Sequence, residues 1–328
     1  MSTLAMCARV IFPAVSSRNR KEIKITWVNS VSIQSSFKDL TDTAEVVLPR
    51  NIRFGKDKND KTKTETLNSL LQIGDSIEIY LGYNNNYPLE FTGYIQEIST
   101  GFPVTIRCED RMYLLKRKSV NVSRQSIKLK DLLSTITQAA YIYCPDMDLG
   151  AVRYSQMQPT QILAKLKDDG LYTYFNNNEL YSGIRYGDIS GDDPTIIELE
   201  KNAIAETLKM KEVPEKIYIR EYSIGAGGAK LEATLGDPEG DTYVFPHVGV
   251  ASEDTLKTLA ERDKKRIMQP GLDGDITLFG KPSLQHSMQV NLISKKYSEK
   301  NGIYYIDCVK KEFNQNGYRQ IITLGDQV

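Results

Sequence analysis

The chain has 328 residues, 40% of them apolar and 26% charged, with 42 basic side chains against 42 acidic ones. That is the composition of an ordinary folded protein, long enough for about two domains. A net charge of zero argues against a general nucleic-acid binder or a membrane-surface protein, which lean basic, and its weak self-repulsion suits a subunit packed into a larger assembly.

The N-terminal stretch MSTLAMCARVIFPAV has no basic region before its apolar residues, and Pro13 interrupts them, so it reads as no signal peptide. No window approaches the roughly 18 unbroken apolar residues of a membrane span. Ile23 and Ile25, then Val31 and Ile33, then Ala44, Val46 and Leu48 alternate with polar residues and predict strands. Gly55 to Glu65, GKDKNDKTKTE, is polar, near neutral and without a period, which predicts a solvated loop in preference to a phosphate-binding patch.

The stretch from Ile73 to Asp110 carries three more strands. Ile77, Ile79 and Leu81 share one face, Phe91 to Ile98 returns after an Asn-rich turn, and Val104, Ile106 and Cys108 form the third. Gly93 marks a bulge or bend. Sequential, sharply turned strands of this length are expected to close into a small antiparallel barrel, residues 1 to 117.

After Asp110 the period changes. Leu129, Leu132, Leu133 and Ile136 lie at helical spacing with Asp131 in the first turn, and a second helix is predicted from Pro159 to Asp169, stopped by Gly170. Leu171 to Phe175 and Glu179 to Ile184 read as a hairpin. Residues 118 to 195 are thus an α+β module, ending in the linker-like GDISGDDP from Gly187 to Pro194. Strands resume at Ile196, Lys216 to Tyr222, Met288 to Leu292, Tyr304 to Val309 and Tyr318 to Leu324. One helix interrupts them, with Ser252 as N-cap, Leu256, Leu259, Ala260 and Ile267 as its stripe, and Pro270-Gly271 as its stop. Asn316-Gly317 predicts a tight hairpin turn. Residues 196 to 328 are expected to form a second barrel that echoes the first, each with an inward cysteine on a turn-bounded strand. The fold class is therefore mainly β with an α+β insertion: two small antiparallel barrels joined by a helix-containing module.

Chemistry is sparse. His247 and His286 each stand alone, and no local motif supplies a nucleophile or an orienting carboxylate, so structural histidines are expected. Asp188, Asp192 and Asp193 fail the spacing of a calcium loop. In GAGGAK, Gly225 to Lys230, the lysine precedes Leu231 where a phosphate loop needs Ser or Thr, which leaves a plain loop. Cys7, Cys108, Cys144 and Cys308 have no metal-ligand spacing and read as thiols of a reducing cytoplasm. No catalytic, cofactor or metal residues are assigned.

The order of elements resembles the baseplate or tail hub family of bacteriophages and contractile injection systems, of the late-control protein D type. The likeness lies in TDTAEVVLPR, in GDSIEIYLGY with FTGYIQEI and IRCED, and in LKDLLSTITQ. It continues in SEDTLKTLAERDKKRI before GDITLFGKPSL, and in GIYYIDCVKKEFNQNGYRQIITLG. The resemblance implies a non-enzymatic hub without cofactors, whose two barrels form a ring continuous with the tail tube. Its implied partners are two further copies, tail tube, spike or tip, baseplate wedge and tape measure proteins, without nucleic-acid specificity. Its implied place is the virion tail, assembled in the host cytoplasm. Because no spike or lysozyme-like sequence follows the second barrel before Val328, piercing or wall degradation is expected from a separate protein. The other readings are a cell-wall polysaccharide enzyme, which needs a convergent acid and base, and a carbohydrate-binding adhesin, which needs a signal peptide.

Overall fold

The computed structural model describes residues 4–56, 62–168, 170–176, 178–183, 193–224, 230–248 and 252–328. The first β region holds β1 (Met6–Phe12), β2 (Ile23–Ile25), β3 (Ser30–Ser36), β4 (Thr43–Leu48), β5 (Asn51–Lys56), β6 (Thr62–Thr66), the single turn α1 (Leu67–Leu70), β7 (Ser76–Tyr83), β8 (Leu89–Ile98), β9 (Val104–Glu109) and α2 (Met112–Leu115). The module holds β10 (Val120–Arg124), α3 (Leu129–Thr137), β11 (Tyr141–Tyr143), β12 (Val152–Met157), α4 (Pro159–Asp168), β13 (Tyr172–Asn176) and β14 (Glu179–Gly183). The last region runs through β15 (Thr195–Glu198), α5 (Leu199–Asn202), β16 (Ala203–Glu206), β17 (Lys209–Met210), β18 (Ile217–Ile224), β19 (Lys230–Gly236), β20 (Asp241–Val248), α6 (Glu253–Met268), β21 (Leu272–Asp273), β22 (Asp275–Phe279), β23 (Gln289–Ile293), β24 (Gly302–Asn314) and β25 (Gly317–Gln327).

The mainly-β class with an α+β insertion is what the structure has, but the two β regions are not separate closed barrels. One thirteen-stranded open sheet runs through both in the order β16-β22-β25-β24-β3-β4-β9-β8-β7-β1-β2, with β15 and β23 attached beside β24. The cause is the length of β24, whose thirteen residues exceed what one neighbour needs. Its first residues pair with β23, and Cys308 to Phe313 pair with Ser36 to Val31 of β3, taking the edge that closure of the first region would have used. The cores follow the same plan. Val10, Ile33, Val46, Ile79 and Ile106 form one cluster, which also takes Phe313 and Tyr318 from the β24–β25 hairpin. Leu278, Val290, Ile306 and Ile322 form another.

Two expectations about β24 and its surroundings change. Register shifts around Ile306 turn the strand, so Val309, Lys311 and Phe313 point inward, while Cys308 is only half-buried beside the fully buried pattern of Cys108. The polar stretch before α1 is a hairpin of β5 and β6. Thr62, Thr64 and Thr66 place a β-branched residue at every second position, which favours a strand even where both faces are polar. The remainder of that stretch, 57–61, lies outside the described residues, as do most of the expected linker and of the GAGGAK loop.

The helices form where their apolar spacing places them. In α3, Leu129, Leu132, Leu133 and Ile136 are buried against Ile162, Leu163 and Leu166 of α4, over the β11-β14-β13 sheet. Ser252 caps α6, its Oγ accepting from Thr255 N at 3.3 Å. The predicted stripe of α6 is only partly apolar, because Asp263 is buried on it together with Leu256, Ala260 and Ile267.

Gly93 on β8 lies where strands approach closely, and a Cβ there would stand 2.2 Å from the Glu109 carbonyl oxygen. Gly93→Ala is therefore expected to lower stability by about 1–3 kcal/mol, the usual cost of overpacking. Urea melts of the two proteins check this, and an unchanged midpoint would show that the β8–β9 ladder can open at no cost.

Candidate functional site

A buried polar cluster lies where the two β regions meet. Lys311, inward on β24, forms an ion pair with Glu90 of β8, and the side chains are 4% and 0% exposed. Lys311 Nζ also donates to Ser283 Oγ at 2.9 Å, while Ser283 Oγ and Tyr318 Oη donate to Glu90 at 2.8 and 3.2 Å. Tyr83 of β7 donates to the Tyr318 carbonyl at 2.6 Å. Burial pushes the Lys311 ammonium below its ordinary range, and the adjacent Glu90 opposes that shift. These added hydrogen bonds are what a charge pair in a low-dielectric interior needs beyond its own attraction.

Beside this pair is a small cavity lined by Asp42, Glu90, Asp110, Tyr174, His286 and Lys311 among others. It offers about 50 Å³ to the centres of water molecules. That is room for a few waters and none for a sugar or nucleotide. The His286 ring stands edge-on to Tyr174 at 4.5 Å, and its Nε2 is 3.9 Å from Asp42 Oδ2. Burial lowers His286 to about 4, so the ring is neutral at physiological pH.

A second buried polar group lies between α6 and the sheet of β18, β19 and β20. His247 of β20 hydrogen-bonds Glu221 of β18, and Ser223, Asp263 and Glu221 are all buried with it. Arg266 joins Asp263 at 3.2 Å and Asp326 at 3.4 Å, tying α6 to the end of β25. Burial raises the Glu221 carboxyl, and the bond from His247 opposes the rise. A serine, a histidine and an acid come together here, but Glu221 and Ser223 are 0% exposed. A nucleophile needs a substrate within reach of its oxygen, and this one is sealed beneath a helix.

His247 has a structural partner that its local sequence does not show, 26 positions away across a parallel strand pair, whereas His286 hydrogen-bonds its neighbour Ser287 at 3.2 Å and faces Asp42 of the first β region. The inward parity of Val309, Lys311 and Phe313 was the one signal for the Glu90–Lys311 pair. Asp193 lies at the margin of the described residues, whereas Asp188 and Asp192 lie outside them. Among the described residues, no group of three His, Cys, Asp or Glu side chains is arranged around a metal position.

No family model matches the chain, and no curated protein matches it in sequence. Solved structures do. A tail protein from Neisseria meningitidis MC58 superposes with a TM-score of 0.68 at 14% identity, covering 99% of this chain and 97% of that one. The chain has the fold of this tail protein. The 43 kDa tail protein of prophage MuSo2 from Shewanella oneidensis gives a TM-score of 0.62 at 13% identity, covering 97% of this chain and 98% of that one. An E. coli component of the type VI secretion system, described as similar to the T4 tail proteins gp27 and gp5, gives 0.55 at 10% identity over 91% and 73%. Within that fold the Glu90–Lys311 pair bridges β8 of the first β region and β24 of the last.

If the Glu90–Lys311 pair holds that seam, Lys311→Met alone leaves a buried carboxylate without its cation and should cost about 3–5 kcal/mol. Adding Glu90→Gln should restore most of the loss. Chemical denaturation of the single and double variants reads both values, and equal loss in the two would assign the effect to packing rather than to the stranded charge.

Proposed function

We propose that this chain is a structural hub subunit of a phage tail or contractile injection machine, three copies of which close a ring between the tail tube and the baseplate or spike. The observation that carries this reading is a repeated strand order. Numbered in chain order within each set of four, β16-β22-β25-β24 and β3-β4-β9-β8 both run first, second, fourth, third, with every neighbouring pair antiparallel. Within one chain the two units are joined by the β24–β3 ladder. The corresponding contact between chains would bring β8 of one copy to β16 of the next.

The outer side of β16 and the last residues of β8 suit that contact. Residues Ile204, Ala205 and Glu206 of β16 are exposed, and β22 is the strand's one ladder partner among the described residues. On β8, the ladder to β7 ends at Tyr94 and the bonds of Ile95 go to Gly74 and Asp75, leaving Gln96 to Ile98 open on that side. Three chains of two units present six similar units, which meets a sixfold tube and a threefold spike at once. Closed rotational symmetry lets such a heterologous contact satisfy itself without growing into a filament.

The division into residues 1–117, 118–195 and 196–328 is part of this reading, and the three large hydrophobic clusters support it. So is a role in the virion tail without turnover, with tail tube, spike and wedge proteins as neighbours. Native mass spectrometry of the chain with its tube or spike neighbour is expected to show three copies, and one, two or six would overturn the ring. Ile204→Lys should abolish that trimer while leaving the melting temperature of the isolated chain within about 2 °C, since a lysine on an exposed edge blocks strand pairing without touching a core.

A further inference from the structure

The side of the module formed by β13 and β14 meets the main sheet through aromatic rings and a small polar pocket. Phe37 and Tyr174 are the buried residues of that contact, with Tyr172, Tyr181 and Tyr305 around them, and Phe37 stands edge-to-face on Tyr172 at 5.2 Å. Inside the pocket are two carboxylates. Asp42, just before β4, accepts from Ser36 N at 3.2 Å, and Asp110, just after β9, accepts from Met112 N at 2.9 Å. The two are held side by side by the bond from Asp110 N to the Asp42 carbonyl at 3.0 Å.

Neither carboxylate has a lysine or arginine in ion-pair contact among the described residues. The charged and titratable groups around them come from several elements, and besides those named next the half-buried Cys308 thiol of β24 lies near Asp42. From β8 comes Glu90 and from β24 Lys311, which are paired with each other. His286 precedes β23 and is neutral above about pH 4, and Tyr174 comes from β13. Asp39 lies in the turn before Asp42, and Glu109 and Lys116 flank Asp110 and form their own pair at 2.9 Å. Two like charges, Asp110 buried and Asp42 half-buried, with no cation in ion-pair contact favour binding of a proton.

We propose that docking of the β13–β14 face on the main sheet is proton-linked, tight while the Asp42 and Asp110 carboxyls share a proton and loosened when both ionise. Lifting the face admits water to the pocket and solvates both charges, so the undocked form gains from ionisation and the docked form does not. The direction of the shifts agrees. Burial carries Asp110 up to about 7, and burial together with the Asp110 charge holds Asp42 well above the ordinary carboxylate range. A carboxyl raised in the docked state favours docking below its ordinary pKa of about 4, and that advantage is lost as pH rises through the window up to about 7.

Amide hydrogen exchange on the full chain tests this at pH 5.5 and 8.5, with rates corrected for the intrinsic effect of pH. Protection of Tyr172–Asn176 and Glu179–Gly183 is expected to fall by at least about tenfold at the higher pH, one unit of pKa being a factor of ten. Protection of Ser76–Tyr83 should stay level over the same range. In each single variant, Asp110→Asn and Asp42→Asn, the fall should shrink, and in the double variant it should vanish. Equal protection of the wild-type face at both pH values, or an undiminished fall in both variants, would overturn the proposal. Carbon-13 titration of the Asp110 carboxyl in the wild-type chain needs no variant, and a midpoint in the ordinary range near 4 would overturn it equally.

Discussion

The ladder between β24 and β3 is the constraint on which the rest of this molecule depends. It fuses two β regions into one sheet, and it does so with a strand that has to serve two neighbours along its length. A strand paired in that way must change which residues face inward, and the register shifts near Ile306 make the change. One result is that a lysine arrives in the interior. Glu90 answers it from β8, and Tyr318, Ser283 and Tyr83 complete the hydrogen bonding around the pair. A buried ion pair is a poor source of stability compared with apolar packing of the same volume. Its value here is positional, because Lys311 has its partner only when β24 lies in this one register against the first region.

Much of the architecture was legible because its signals are local. Alternation at Ile77, Ile79 and Leu81 marks β7, the spacing of Leu129, Leu132, Leu133 and Ile136 marks α3, and Ser252 with Glu253 marks the start of α6. What was not legible depends on contacts between distant segments. Closing each β region into its own barrel is the economical solution for its free edges, and nothing within β3 or β24 announces that each takes the other instead. The clusters at Glu90–Lys311 and Glu221–His247 are assembled from strands far apart in the chain, so each residue by itself looks like an ordinary surface polar group.

The group beneath α6 obeys the same logic on a smaller scale. Ile217, Ile219, Ala260 and Ile267 make a modest apolar core for the three strands and their helix. Asp263 replaces an apolar residue on the helix stripe, and its bond to Arg266 continues to Asp326 on β25. This small unit is thereby tied by charge to the region from which it projects. The β17–β21 ladder, of two residue pairs, is its other tie.

The repeated strand order also makes the two kinds of seam unequal. Within the chain, β24 continues past the bulge to pair six residues with β3 and adds the Glu90–Lys311 pair behind them. At the corresponding place in the first region β8 stops at Ile98, and the outer groups of Ile95 are already taken by Gly74 and Asp75. A contact between copies built on β8 and β16 would therefore have fewer main-chain bonds and no buried charge pair to fix its register. Such a contact is weak by itself and strong only when the neighbouring contacts form with it. In the proposed ring, six units fused in pairs within each chain would be held by three strong seams and three weak ones, so assembly would be governed by whatever second surface aligns the chains. A tube or spike with rotational symmetry is a surface of that kind.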